Sequence, residues 1–428
     1  MRSRDQQLDH FTEWLRGKGY DQHRLQLAEF PETGRGMMAK EAIQVGQPIV
    51  EIPRSLLITC KTPAVEATVK SFSGDSTLLS EHQSLALFLA HQRGILGEYR
   101  PYINLLPTHF TTVAALMPKE IFNHLPWELQ AMASAQRTHV RRDYARIMGF
   151  CDDCKGKAEY SSKDGSCPNC CTRPSLTYTD FEWAWFAVNT RCITLNTTQR
   201  RITHSDTPKI ALAPMLDFLN HTSEAKIQAG FDATGQSYRI RTLMPYEPGE
   251  QVFINYGPHD NSFLLAEYGF VLRHNPYNHV IVDRYIDEII LEGETVDSRR
   301  VANDILDGHG LRGDYTLHLD DDPSPRLTAA LRIRVLSSVL KSVPPNVADM
   351  CWEPLVPEQE RRVQDGIRCV CEAVLLHAEQ ALRGLSGLEA HSKESLAFSM
   401  VQQVWNDTVA IVKGVMQRLA DKEDTCQM

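Results

Sequence analysis

The chain has 428 residues, enough to bury a large core and to fold as more than one lobe. A hydrophobic share of 42% and a charged share of 23% are ordinary for a globular protein and exclude a fibrous or disordered chain. A formal net charge of -9, a pI near 6.0 and the lack of any dense Lys/Arg run argue against direct nucleic-acid binding and favour a basic protein segment as partner.

The first twenty residues interleave charges with a few apolar side chains, and neither a signal-peptide core nor a membrane-spanning apolar stretch follows. The expectation is an intracellular chain, cytoplasmic and nuclear, whose 11 cysteines are thiols or metal ligands and not a disulfide framework. Leu8, Phe11, Trp14 and Leu15 recur at helical spacing, and Gly17 and Gly19 should stop that helix. From Gly34 short β-type runs follow, MMAKEAI, QPIVEIP and SLLIT, punctuated by Gly46, Pro48 and Pro53. Residues 80–150 read as mainly helical, with a turn at Gly94, an irregular Pro-bounded stretch at 102–110 and a polar helix near 130–148.

A segment rich in Cys, Gly, Ser and Lys at 151–173 interrupts the helices before YTDFEWAWFAVNTRCITL resumes them, and strands return over about 210–256. Beyond Asn278 three apolar stripes predict helices: Leu327, Leu331, Val335, Leu336 and Leu340; Val363, Ile367, Val370 and Val374; and Val401, Val404, Val412, Val415 and Leu419. They read as the core of a C-terminal lobe, since the heptads are too few for a coiled coil.

Two segments carry the chemistry, MLDFLNH at 215–221 and EQVFINYG at 250–257. Each closes an apolar run with polar groups that a buried strand tolerates only when they are used, which singles out Asn220, His221, Asn255 and Tyr256. A third piece, LLAEYGF at 264–270, adds Tyr268 beside Gly269 and Phe270. Upstream, Gly34-x-Gly36 lets backbone approach a ligand without Cβ interference, although taken alone it fits an ordinary turn.

In this order and spacing the pieces resemble the SET-domain methyltransferases, and within them the plant Rubisco large-subunit methyltransferase class. The resemblance covers roughly residues 25–280 by motif and the remainder by helical pattern. It implies an α+β fold: small pseudoknotted SET sheets, a helical insertion and an all-helical C-terminal lobe. The boundaries it implies are 1–24 for an N-terminal helix, 25–100 for the first SET part, 101–185 for the insertion, 186–278 for the catalytic part and 279–428 for a substrate-binding lobe. It implies S-adenosyl-L-methionine as cofactor, held by Gly34, Gly36, Glu51, Arg191, Asp217, Asn220, His221, Tyr256 and Phe270. Tyr256 and Tyr268 would be the catalytic pair, with Tyr268 limiting the number of methyl groups. Structural tyrosines of a β-core and a satisfied core histidine are the alternatives when each is taken singly.

Cys151-x-x-Cys154, twelve residues, then Cys167-x-x-Cys170 has the spacing of a four-cysteine structural zinc site, with Cys171 a substitute ligand. This departs from the class, and a plain cysteine-rich loop is the other reading. Cys369 and Cys371 read as ordinary helix residues. The expected activity is protein-lysine N-methylation of histone or non-histone proteins by a monomer that engages a lysine-bearing segment, with no membrane or nucleic-acid partner. The alternatives are protein-histidine N-methylation and a non-catalytic SET-fold binding module.

Overall fold

The computed structural model describes residues 4–21, 24–149, 176–195, 208–340, 344, 346–389 and 394–426. Helix α1 (Arg4–Gly17) ends as expected, with Gly19 in the left-handed region at φ 82°. Strands β1 (Leu25–Phe30) and β2 (Gly34–Ala39) form an antiparallel hairpin with Phe30 opposite Gly34. Gly34 and Gly36 therefore lie within a strand, not in a loop ahead of one, and the expected run to Ile43 stops at Ala39. Strand β3 is Pro48–Pro53. The SLLIT segment is not a strand: residues 54–56 wind into a 3-10 turn closed by Leu57 N–H on the Arg54 carbonyl, and only Ile58 bridges to Leu212.

Helices α2 (Pro63–Ser73), α3 (Glu81–Arg93), α4 (Arg100–Ile103), α5 (Lys119–Phe122), α6 (Trp127–Met148) and α7 (Tyr178–Arg191) follow. Next come β4 (Cys192–Thr194), β5 (Ile210–Leu212), β6 (Asn220–His221), β7 (Ile227–Phe231), β8 (Ser237–Thr242) and β9 (Gln251–Ile254), then α8 (Asn261–Glu267). The C-terminal part holds β10 (His279–Ile281), α9 (Asp283–Glu288), α10 (Val296–Gly308), β11 (Thr316–His318), α11 (Pro325–Val339), α12 (Val347–Met350), α13 (Pro357–Ser386) and α14 (Leu396–Cys426). No helix among the described residues is long and apolar enough to cross a membrane.

The chain divides into two compact units. The first is Met1–Leu116, Met132–Pro258 and Ala266–Gly269; the second is Met117–Ala131, His259–Leu265 and Phe270–Met428. In the first, the sheets run β1-β2-β9-β6, β3-β8-β7 and β4-β5. All pairings there are antiparallel except β6 with β9, which is parallel. Helix α3, started by a Ser80–Gln83 capping box, is buried on every side from Gln83 to Ala90 and packs on α7. Several polar groups enclosed there are paired: Asp143 accepts from Gln83 (2.8 Å) and Trp185 (3.1 Å), and Trp183 donates to the Pro107 carbonyl (2.7 Å).

In the second unit the three apolar stripes are buried as expected. The exception is Leu340, which lies past the end of α11 and is 36% exposed. The unit also contains the β10–β11 pair, too short for a periodic signal in the sequence. Glu294, nearly inaccessible, is held by Arg334 (2.6 Å) and Arg299 (2.7 Å), so its burial leaves no uncompensated charge.

Candidate active site

The parallel pairing of β6 with β9 sets Asn220 opposite Phe253 and His221 opposite Ile254, so the chain leaving β9 passes directly over His221. Tyr256 N–H donates to His221 Nδ1 at 3.0 Å, which makes Nδ1 an acceptor and leaves the ring proton on Nε2. The Tyr256 ring stacks on the imidazole with centroids 5.0 Å apart and 26° between planes. Its hydroxyl donates to the Leu219 carbonyl at 2.7 Å. Tyr268 lies 5.0 Å from Tyr256, tilted by 49°. Burial pushes both phenols up, Tyr268 to about 12 and Tyr256 further, so both are neutral hydrogen-bonding groups at neutral pH.

Beside this cluster Asp217 is fully enclosed. Tyr102 donates to its Oδ2 at 2.7 Å, while Oδ1 has no hydrogen-bond partner. Burial raises the carboxyl from 3.8 to about 6 despite the nearby Arg191. Arg191, at the end of α7, donates to the Asp217 carbonyl at 2.8 Å and stands 5.8 Å from the Phe218 ring. Its Nε is buried without a hydrogen bond.

Two side-chain amides fill the space beside Gly36. A Cβ there would lie 2.5 Å from Gln251 Nε2 and 2.8 Å from Asn220 Nδ2. Asn220 donates to the Arg35 carbonyl at 3.1 Å, and the Arg35 guanidinium rides 5.2 Å over Phe218. Gln251 accepts from Thr33 at 2.9 Å, leaving its buried Nε2 without a partner. Gly34, at φ 66°, marks the hairpin end, where a side chain would be strained.

S-adenosylmethionine carries a carboxylate, an ammonium, a sulfonium and an adenine, and the residues present fit it. Arg191 Nε and Gln251 Nε2 are buried donors suited to a carboxylate, Asn220 supplies a neighbouring amide, and stacked aromatic faces suit a sulfonium cation. The Gln251 and Asn220 amides meet at the Cβ-free face of Gly36.

The structure thus brings together Gly34, Gly36, Arg191, Asp217, Asn220, His221, Tyr256 and Tyr268 in one unit. One expected cofactor contact is not part of this cluster. Glu51 lies on the separate β3-β8-β7 sheet, where its carboxylate pairs with Arg239 at 2.5 Å. Phe270 follows Gly269 as the first residue of the second unit's C-terminal segment. Asp217 accepts from Tyr102 at Oδ2 and keeps Oδ1 without a hydrogen bond, fully enclosed beside the site. Asn255 serves its own turn, accepting from Gly257 N–H (2.8 Å) and donating to the Ser223 carbonyl (3.2 Å). Cys151, Cys154, Cys167, Cys170 and Cys171 lie outside the described residues, and among the described residues no cluster of three or more His, Cys, Asp or Glu could hold a metal.

Tyr102, Arg35 and Gln251 were missed by sequence reasoning. Tyr102 sits in the Pro-bounded stretch, 115 positions from its partner, and no local pattern announces such a pairing. Gln251 opens a strand whose other features already explained it, and only the register of β2 against β9 carries it to Gly36.

A family model for the SET domain matches residues 34–257. SET domain-containing protein 4 of Homo sapiens is 30% identical over 95% of this chain and 90% of its own. Ribosomal lysine N-methyltransferase set11 of Schizosaccharomyces pombe is 24% identical over 97% of this chain and 99% of its own. The actin-histidine N-methyltransferase of Xenopus tropicalis is 25% identical over 65% of this chain and 45% of its own. Among solved structures, the SET domain of LSMT bound to lysine and AdoHcy superposes with a TM-score of 0.66 at 18% identity, covering 99% of this chain and 92% of that one. With its sheet order, its paired Asn-His and Tyr-Gly segments and these matches, the chain belongs to the SET-domain family.

Proposed function

We propose that the chain is an S-adenosylmethionine-dependent protein-lysine N-methyltransferase. The observation that carries this reading is the cluster in which Tyr256 is locked onto His221 and Leu219 while Tyr268 stands 5.0 Å away. When bound, S-adenosylmethionine supplies an electrophilic methyl carbon on a sulfonium. Arg191, Gln251 and Asn220 would hold its amino-acid end, the two amides being brought together at the Cβ-free face of Gly36.

Displacement at such a carbon requires alignment and exclusion of water more than acid or base strength. The acceptor lysine must be neutral although its free pKa is about 10.4, and aromatic, poorly hydrated walls disfavour the ammonium. Neither phenol serves as the base, because both are pushed too high to ionise at neutral pH. Tyr256, its proton committed to Leu219, offers an oxygen lone pair that orients the amine, and Tyr268 limits the space around it. Cytoplasmic and nuclear proteins, histones among them, are the substrate pool this reading admits.

A second reading is protein-histidine N-methylation, favoured by the similarity to an actin-histidine N-methyltransferase. The test incubates the purified chain with isotope-labelled S-adenosylmethionine and lysate from cells lacking it, then identifies the labelled residues by mass spectrometry. Label on lysine side chains supports the proposal. Label confined to imidazoles supports the second reading, and absence of transfer leaves only a SET-fold binding module.

A further inference from the structure

We infer that Glu267 is a positioning residue: clamped between Gln136 of α6 and Asn189 of α7, it fixes Tyr268 and so sets how many methyl groups the acceptor nitrogen can carry. The inference rests on the lysine reading above and deepens it. Both carboxylate oxygens of Glu267 are engaged, Oε1 by Gln136 Nε2 at 2.9 Å and Oε2 by Asn189 Nδ2 at 2.8 Å. The same two amides also donate to the backbone, Gln136 to the Ala266 carbonyl at 3.1 Å and Asn189 to the Glu267 carbonyl at 3.3 Å. Four hydrogen bonds thus converge on the two residues immediately before Tyr268.

On its other side Tyr268 is followed by Gly269, at φ 78°. A Cβ there would come within 3.0 Å of Thr112 Oγ1 and 3.1 Å of Val113 N, so this backbone lies flush against the 112–113 segment. The backbone on both sides of Tyr268 is therefore held, by α6 and α7 before it and by the 112–113 segment after it. A carboxylate held by two neutral amides does more than an apolar contact filling the same space. What it adds is direction: two acceptors at a fixed spacing admit one placement of the chain. Asn189 also lies two residues before Arg191 on α7, so one helix end sets both Arg191 and this clamp.

Two variants test the clamp. Glu267→Gln keeps the shape but turns one acceptor into a donor that faces a donor. Glu267→Gln combined with Asn189→Asp restores the side-chain pairing with the polarity reversed, because the amide introduced at 267 donates to the carboxylate introduced at 189, while the longer bond from position 189 to the Glu267 carbonyl is given up. The first readout uses labelled S-adenosylmethionine with total protein from cells lacking the chain, followed by acid hydrolysis and quantification of mono-, di- and trimethyllysine. Glu267→Gln should shift the product ratio and lower turnover by roughly ten- to a hundredfold, as a displacement near 1 Å does, with cofactor affinity unchanged, and the double variant should recover the product ratio and part of the turnover. The second readout needs no activity: 3-fluorotyrosine placed at position 268 should give one 19F resonance that shifts or splits in Glu267→Gln and returns in the double variant. An unaltered resonance in folded Glu267→Gln, or a lower turnover with the wild-type product ratio and no recovery, overturns the clamp. A resonance that responds as expected in a chain making no methyllysine upholds the clamp and sinks the lysine reading.

Discussion

Replacing Tyr102 by Phe removes the one side-chain hydroxyl that serves the buried Asp217 carboxylate, and the structure fixes the size and pH dependence of the loss. The bond is short, 2.7 Å, and Asp217 Oδ1 has no partner to compensate. At pH 8 the carboxylate is charged, and losing a charge-assisted bond costs roughly 1.5 to 3 kcal/mol. At pH 5 a group titrating at about 6 is mostly protonated, and a neutral bond is worth about 0.5 to 1.5 kcal/mol. The sign for the wild-type chain follows from the raised value. Because the folded state binds the proton more tightly than the unfolded state, the Asp217 contribution is fully present below 3.8 and is lost as pH rises to about 6, a decline of about 3 kcal/mol. Urea unfolding of the wild type, Tyr102→Phe, Asp217→Asn and the double variant at both pH values gives the coupling directly. The expected coupling is about 2 kcal/mol at pH 8 and less than half that at pH 5. Coupling below about 0.5 kcal/mol at pH 8, or equal coupling at the two pH values, would refute the reasoning.

Other outcomes follow from the same geometry. Asn220→Ala and His221→Ala should each weaken S-adenosylmethionine binding by roughly ten- to a hundredfold in calorimetry, the equivalent of one hydrogen bond to a charged group; wild-type affinity in both folded variants would remove the site assignment. Gly36→Ala displaces the amides of Gln251 and Asn220, which a Cβ would meet at 2.5 and 2.8 Å, and should lower cofactor affinity with little change in thermal stability, since both amides are ends of flexible side chains; unchanged cofactor affinity in the folded variant would contradict the role given to the two amides. One zinc per chain is expected on Cys151, Cys154, Cys167 and Cys170, without effect on the chemistry, since four protein ligands leave no open position. Metal analysis of protein prepared without chelator, with and without Cys151→Ser/Cys154→Ser, decides it, and substoichiometric zinc in both preparations rejects the site.

The parts of the fold that were legible in the sequence are those with a strong period. Val363, Ile367, Val370 and Val374 announced their burial because a long helix repeats its apolar face, whereas the three-residue strands β10 and β11 are shorter than any readable period. The site was legible where polar residues closed apolar runs, as at Asn220-His221 and Asn255-Tyr256. It was less legible where a local pattern had two structural meanings. Glu51 ends a strand with the expected neighbours, yet the partner strand β8 presents Arg239 directly opposite and takes the carboxylate away from the cluster. Tyr102, Gln136 and Glu267 matter through long-range hydrogen bonds, and such pairings exist only once the topology has been set.

The most direct test of the central claim compares wild type and Tyr256→Phe in one experiment, measuring methyllysine formed in total protein from cells lacking the chain alongside S-adenosylmethionine affinity. The loss of a hydroxyl that orients the amine should reduce methyllysine formation by at least roughly tenfold while cofactor affinity stays near the wild-type value. Weakened cofactor binding with turnover intact at saturation would contradict the account, because Tyr256 would then hold the cofactor and the transition state would be shaped elsewhere.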